Sequence, residues 1–420
     1  MTPLTDSPPR DRRIDATAAF VADPYRFISA RCREFGTDVF EARILLQPTL
    51  CMSGAEASRL FYDARYFRRS GAAPEAVQAT LFGKRAVQGL DGAAHRMRKA
   101  LFIHALNPDA LQALAERVRH HWRLEVSHWV PGRPVVLYGA AQEVLGRAVF
   151  EWAGVPVAEA QMRERIADLV SLYDDAARGI VPHVRSRLAR RRLEHWLGGI
   201  IRALRQGAMR APEGSALHVV SLHQGADGEP LTAGVAATEL LNLLRPVVAV
   251  SVFNVFAAHA MHRYPECRAL LRIGGPDYRH CFLNEVRRHY PFFPAVAARV
   301  LEDVEWKGMR LVRGRRAILD LYGTNRDPRS WVEPERFLPA RFNGVSPGQF
   351  AFIPQGGGDA QTHHRCPGEE ATMALMDVAV DVLLNQVEYD LPDSPSALDM
   401  RRLPALPQDG LTLVPVRVYR

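Results

Sequence analysis

The chain has 420 residues, 47% of them hydrophobic and 24% charged, with a formal net charge of +8 and a pI near 9.5. Those proportions describe a globular protein with room for a sizeable core, and the five scattered cysteines speak against a disulfide framework. No run of about 18 uncharged apolar residues occurs, so the expectation is a cytoplasmic protein without a transmembrane anchor.

Residues 1–20 read as a flexible leader without the apolar stretch of a signal peptide, and 21–420 as one domain. A short helix from Asp23-Pro24 to about Phe35 comes first. Strand-like spacing over Val39–Leu50, a helix capped by Ser53 and a short strand at Arg65–Arg68 follow. Together they predict a small β region at the edge of a mainly α body. Phe82–Leu90 reads as a loop, and Asp91-Gly92 opens a helix on which His95 and Lys99, four apart, share a face. That pair suits the propionates of a porphyrin, or is ordinary surface charge. Residues 109–128, 137–153, 159–178 and 182–206 carry amphipathic helical patterns. In the third, Leu169 and Val170 line a cavity or pack the core. The arginine-rich run His183–His195 reads first as a solvated face and second as a surface for an acidic partner. Nucleic acid ranks last, because no recognised module accompanies the run.

From Thr232, a candidate N-cap, a helix of some 30 residues and roughly 45 Å follows, apolar almost all round from Leu240 to Met261 and therefore buried. Arg245-Pro246 stands in its middle, the proline bending the axis. A buried guanidinium without an anion costs several kcal/mol. Leu240–His262 contains no Asp or Glu, and Glu239, six residues back, faces elsewhere. The anion comes either from another segment or cofactor, or from a ligand carboxylate gripped by a bidentate fork. Further on, Glu285 and Arg288 pair at i and i+3, short strands run over 296–300, 306–311 and 313–321, and Arg341 sits in Phe337–Phe342.

Phe352–Glu370, FIPQGGGDAQTHHRCPGEE, is the stretch around which the chain is organised. Three glycines permit close backbone approach to a ligand. Cys366 stands at the mouth of an apolar helix, where the dipole favours a thiolate, and cationic side chains flank it. Such a thiolate suits haem iron; a buried structural cysteine is the alternative.

In this order the features resemble the cytochrome P450 family over roughly residue 20 to the C-terminus. Glu285-x-x-Arg288 with Arg341 is similar to that family's Glu-Arg-Arg network, and Cys366 with Gly368 to its thiolate loop. The resemblance implies a mainly α fold with a small β region, and haem b between the distal helix and the Cys-loop helix. It places His95, Lys99, Arg299 and His364 on the haem. Two departures from the common pattern are present. Phe352 lies 14 residues before the cysteine, so the loop is about seven residues longer, and the distal helix offers Arg245-Pro246 where an acid-alcohol pair is usual. Both are similar to the fatty-acid peroxygenase branch, as are Phe82, Gln88, Leu244–Val250, the RRHYPFFP segment with Phe292, and DLYGTN. That branch implies a fatty acid held by Arg245, with Phe82, Leu169, Val170 and Phe292 around it and Pro246 and Gln88 beside the chemistry. It further implies hydrogen peroxide as oxidant, no redox partner, and hydroxylation at the α or β carbon. Terminal-alkene formation by decarboxylation and a reductase-dependent monooxygenase are the alternatives.

Overall fold

The computed structural model describes residues 7–225, 228–391 and 397–419. Six helices carry the site: α1 (Gly92–Ala105), α2 (Glu159–Asp174), α3 (Ile180–Arg205), α4 (Ala233–Arg263), α5 (Gly275–His289) and α6 (Glu369–Asn385). A five-stranded sheet stands to one side. Its strands are β1 (Val39–Ile44), β2 (Gln47–Met52), β3 (Phe67–Arg68), β4 (Ala295–Val300) and β5 (Arg316–Asp320), in the spatial order β1-β2-β5-β4-β3. Only β2 and β5 run parallel, with Cys51 opposite Ile318.

The expected apolar helix is the axis of the fold. Thr232 caps α4 by accepting from the Val235 N–H at 3.3 Å, as its sequence position predicts. By length and apolar content this helix could cross a bilayer, but 94% of its most apolar window is buried inside the protein. Helices 137–153, α2, α3 and α6 cover it, and Leu240, Leu244, Val248, Val252 and Phe256 join them in one core. A helix hydrophobic all round is stable only in such surroundings.

Two local readings differ from the structure. The expected flexible leader is pinned from Pro9 onward: Glu41 N–H donates to Pro9 O, Asp11 N–H to Glu41 O, and Ala16 is fully buried. A polar, proline-bearing segment can still order when a sheet edge accepts its backbone. Residues 1–6 lie outside the described residues. The helix after β2 is entered through Gly54 rather than capped by Ser53, since the chain turns there with φ +96°.

Buried histidines make the fold acid-sensitive. His259 on α4 lies 2.8 Å from the Tyr290 hydroxyl, and burial lowers its pKa from 6.5 to about 4; burial with Arg326 and Arg288 lowers His289 to about 2. The unfolded chain therefore binds more protons below pH 6.5. The stability conferred by these neutral rings is complete above 6.5 and is lost as pH falls toward 4. The thermal midpoint should drop over that window, and His259→Phe should flatten the slope.

Candidate active site

Arg245 lies mid-way along α4 with 7% of its surface exposed, and its Nε has no hydrogen-bond partner. Among the described residues no carboxylate lies within ion-pairing distance of it. Burial pushes its pKa down to about 9 and the nearby Arg190 adds to that push, while the charges of Cys366 and Tyr173 oppose it. Because a guanidinium keeps its proton in proteins, the downward push measures the cost of holding this charge without an anion. Glu239 does not answer it. That carboxylate is fully buried, accepts from Val87 N–H at 3.0 Å, Arg98 Nη1 at 2.7 Å and Asn242 Nδ2 at 3.1 Å, and is raised in pKa by burial.

Those contacts place the expected loop against α4. Asn242, one turn before Arg245, also donates from Nδ2 to Phe82 O at 3.0 Å. The Glu239 bond fixes the turn Val87–Gly89, in which Gln88 has a buried Oε1 without a partner. On α2, Leu169 is fully buried and Val170 half-buried against the same core. One turn on, Tyr173 reaches α4, its hydroxyl 3.3 Å from Ser251 Oγ and 3.4 Å from Val248 O. The Phe292 ring lies 4.3 Å from that of Phe253 on α4. Arg245, Pro246, Phe82, Gln88, Leu169, Val170 and Phe292 thus all stand on or against the two sides of one helix.

The Cys loop is held from several directions. Cys366 N–H donates to Gln355 O at 3.1 Å, and Gln355 Nε2 lies 3.8 Å from Cys366 Sγ. Arg287 Nε fixes the Gln355 Oε1 at 3.1 Å, and Arg287 and Arg365 both close on Glu369 in the first turn of α6. Gly356 and Gly358 adopt φ of +101° and +82°, and a Cβ on either would press into His364, Arg365, Tyr62 or His363. The glycines therefore let the loop fold onto itself. Asp359 closes the extra residues by accepting from Gln361 N–H at 2.9 Å and Thr362 N–H at 2.8 Å. Burial and Glu369 raise the Cys366 pKa, against the lowering pull of the Gly368 N–H, Lys99 and Arg287.

Basic groups gather beside this sulfur. The His95 and His364 rings stack with centroids 3.9 Å apart. Burial and Lys99 lower His95 to about 4; burial and then Arg69, His95 and Lys99 lower His364 far below its ordinary value. Lys99, also lowered by burial to about 8, donates to the carbonyls of His363 and Arg365 and so ties α1 to the loop. Arg299 does not join them in the way expected. Its Nε donates to Gly71 O at 2.6 Å and its Nη1 to Gly314 O at 3.1 Å, closing the end of the sheet. The arginine whose charge bears on both histidines is Arg69, which sequence reasoning passed over. It is 8% exposed, donates from Nη1 to Ala297 O at 2.7 Å and stacks on Phe61 and Tyr62. Its signal was its place beside Arg68, the cross-strand partner of Arg299.

These residues fit a haem. Among the described residues no group of three potential ligands could hold a bare metal ion, so one sulfur donor suits a metal already held by a macrocycle. Four basic groups, Arg69, His95, Lys99 and His364, oppose one another's charge, with Asp91 beside His95 and Asp359 and Glu369 acting on Lys99, and this excess of basic groups suits the two carboxylates of that macrocycle.

Behind the loop, Glu285 and Arg288 form a two-bond ion pair at 2.7 Å with both side chains fully buried. Arg341 Nε lies 3.2 Å from Glu285 Oε2, and Leu338 N–H donates to Glu285 Oε1 at 2.8 Å. Arg288 also donates to the carbonyls of Asn325, Pro334 and Arg336. The triad therefore binds α5 to the meander that precedes the Cys loop.

Comparison with known proteins agrees with this geometry. The family model described as Cytochrome P450 matches residues 277–411, the part that contains the triad and Cys366. A solved structure of Cytochrome P450SP alpha (CYP152B1) in complex with (R)-ibuprophen is 44% identical over 95% of this chain and 98% of its own, with a TM-score of 0.93. The chain belongs to the cytochrome P450 family. Its P450 fold therefore carries haem b, and it stands with the fatty-acid peroxygenase branch that its motifs resemble. A second structure of that group, Cytochrome P450EX alpha (CYP152N1) with myristic acid, is 36% identical over 98% of this chain and 99% of its own, with a TM-score of 0.94. The first curated relatives are more distant in extent. Cytochrome P450 84A4 of Arabidopsis thaliana is 34% identical over 133 residues, 30% of this chain and 25% of that protein.

Proposed function

We propose that this P450 uses hydrogen peroxide to hydroxylate fatty acids at the α or β carbon, with the substrate carboxylate held by Arg245. The observation that carries the reading is a buried, unpartnered guanidinium on a helix whose one acid, Glu239, is bound elsewhere. A carboxylate at Arg245 satisfies the charge with a forked pair and stays ionised beside it. The neighbours solved with (R)-ibuprophen and myristic acid, both carboxylic acids, support the same chemistry.

In this reading Cys366 would hold the haem iron through its sulfur, and Arg69, His95, Lys99 and His364 would hold the macrocycle's carboxylates. Bound there, the haem supplies the oxidising centre, and thiolate donation favours cleavage of the peroxide O–O bond. The chain's own contribution is placement. Arg245 sets the substrate carboxylate where it takes a proton from hydrogen peroxide and returns it to the departing oxygen, which leaves as water. Substrate binding thereby completes an acid-base apparatus that α4 lacks, and no electron-transfer partner is required. Anchoring the acid at one end brings its α and β carbons to the reacting centre. Pro246, inside α4, cannot donate a backbone hydrogen bond and so leaves the Asn242 carbonyl without its helical partner beside the anchor. Leu169, Val170, Phe82 and Phe292 enclose the alkyl chain. We also read the protein as cytoplasmic, consistent with five free cysteines.

Gln88 beside the site cannot titrate, which favours hydroxylation over decarboxylation. With a long-chain fatty acid and peroxide alone, chromatography should show 2- and 3-hydroxy acids as the main products. Terminal alkene as the main product, or turnover only with a reductase system, would refute the assignment.

A further inference from the structure

The arginine-rich run His183–His195 lies on α3, and most of its cations end on carboxylates: Arg185 on Asp175, Arg187 on Glu75, Arg192 on Asp168. Arg190 turns inward instead, with 2% of its surface exposed. Its Nη1 donates to Thr80 O at 2.9 Å and Leu81 O at 3.3 Å, its Nη2 to Phe82 O at 2.9 Å and its Nε to Glu194 Oε1 at 2.8 Å. Thr238 on α4 donates to the same Glu194 oxygen at 3.1 Å. Three successive carbonyls filled by one planar fork fix a backbone path. Here they end the π-type turn Gln78–Phe82, whose last carbonyls have no partner within so short a helix.

Two further features show that the fork is built in. Gly83, at φ +92°, makes room for it, because a Cβ there would collide with Arg190 Nη2 and Thr238 Cγ2. Phe82 O is gripped a second time by Asn242, one helical turn from Arg245. The position of Phe82 relative to the Arg245 guanidinium is thus set jointly from α3 and α4.

We propose that Arg190 is a positioning residue that determines, through the Phe82 wall, which carbon of an acid anchored on Arg245 is oxidised. The proposal rests on the reading of Arg245 given above. With one end of the acid fixed, neighbouring carbons differ in reach by little more than an ångström, and a displacement of about 1 Å alters reactivity by as much as 100-fold. The wall that bends the chain therefore selects the site of attack.

Arg190→Lys keeps the positive charge and replaces the fork with a single flexible donor. Gly83→Ala displaces the fork without altering Arg190. Each variant, in the haem-loaded full chain, is assayed with hexadecanoic acid and peroxide. The readouts are the ratio of 2- to 3-hydroxy acid, acid affinity by optical titration, and the thermal midpoint. Parent-like affinity for Arg190→Lys is expected, with a several-fold change in product ratio that runs in the same direction in Gly83→Ala. An unchanged ratio in both variants, with activity falling only in step with the thermal midpoint, overturns the proposal. A parent chain that shows no optical response to the acid refutes the Arg245 reading, and this proposal with it. A responding parent with unaltered variant ratios refutes this proposal alone.

Discussion

Arg245→Met should abolish most peroxide-driven turnover of fatty acids, lowering kcat/KM by about two to four orders of magnitude, the range for loss of a positioned acid-base group. The haem should remain bound, because Arg245 belongs to the distal helix and donates nothing to the Cys loop. Stability should move the other way. In the substrate-free protein the guanidinium is buried with its Nε unpartnered and with Arg190 as a like-charged neighbour, so removing it relieves an uncompensated charge. The variant should melt higher than the parent without ligand. A fatty acid should raise the midpoint of the parent by mass action and leave that of the variant unchanged. Retained turnover, or a variant less stable than the substrate-free parent, would count against an anion-requiring arginine.

Glu285→Ala should be the most damaging substitution to folding. Glu285 and Arg288 are both fully buried, and Arg341 and the Leu338 N–H converge on the same carboxylate. Removing it leaves two guanidiniums without their shared anion, and breaking a buried pair in this way costs about 3–5 kcal/mol. Denaturant unfolding of the haem-loaded chain should show that loss together with weaker haem retention, since the triad ties α5 to the segment that leads into Cys366. Replacing both members by apolar residues should cost less than Glu285→Ala alone. A change within about 0.5 kcal/mol, as for an ordinary surface substitution, would contradict this account.

The parts of this site that were legible in the sequence are those carried by local order. Cys366 before a helix, Glu285 and Arg288 three apart, and a lone arginine in an apolar run each identify themselves within a few residues. The gap of 14 residues between Phe352 and Cys366 was equally readable. Contacts between distant segments were not. Glu239 was correctly placed on another face from Arg245, but its partners Val87 and Arg98 stand 152 and 141 residues away. Arg299 and Arg69 look alike in sequence, and only the fold shows that Arg299 is held by the carbonyls of Gly71 and Gly314, while Arg69, bonded to Ala297 O, lies where its charge bears on both histidines. The basic run on α3 is for the most part the solvated face its pattern predicts, with Arg185, Arg191 and Arg192 exposed, but a charge pattern records only how many cations a face carries and did not show that Arg190 turns inward onto the carbonyls of a distant turn. The glycines of the Cys loop announced an unusual backbone without saying that Tyr62 and His363 would fill the space beside them.

The claim on which the account depends is that the guanidinium of Arg245 takes the substrate's carboxylate. The most direct measurement gives the haem-loaded protein a long-chain fatty acid and, separately, its methyl ester, with hydrogen peroxide as sole oxidant. The acid should perturb the haem spectrum on binding and yield hydroxy acids, while the ester, equal in alkyl length but without the charge, should do neither at matched concentration. Equal binding and equal turnover of the ester would contradict the account.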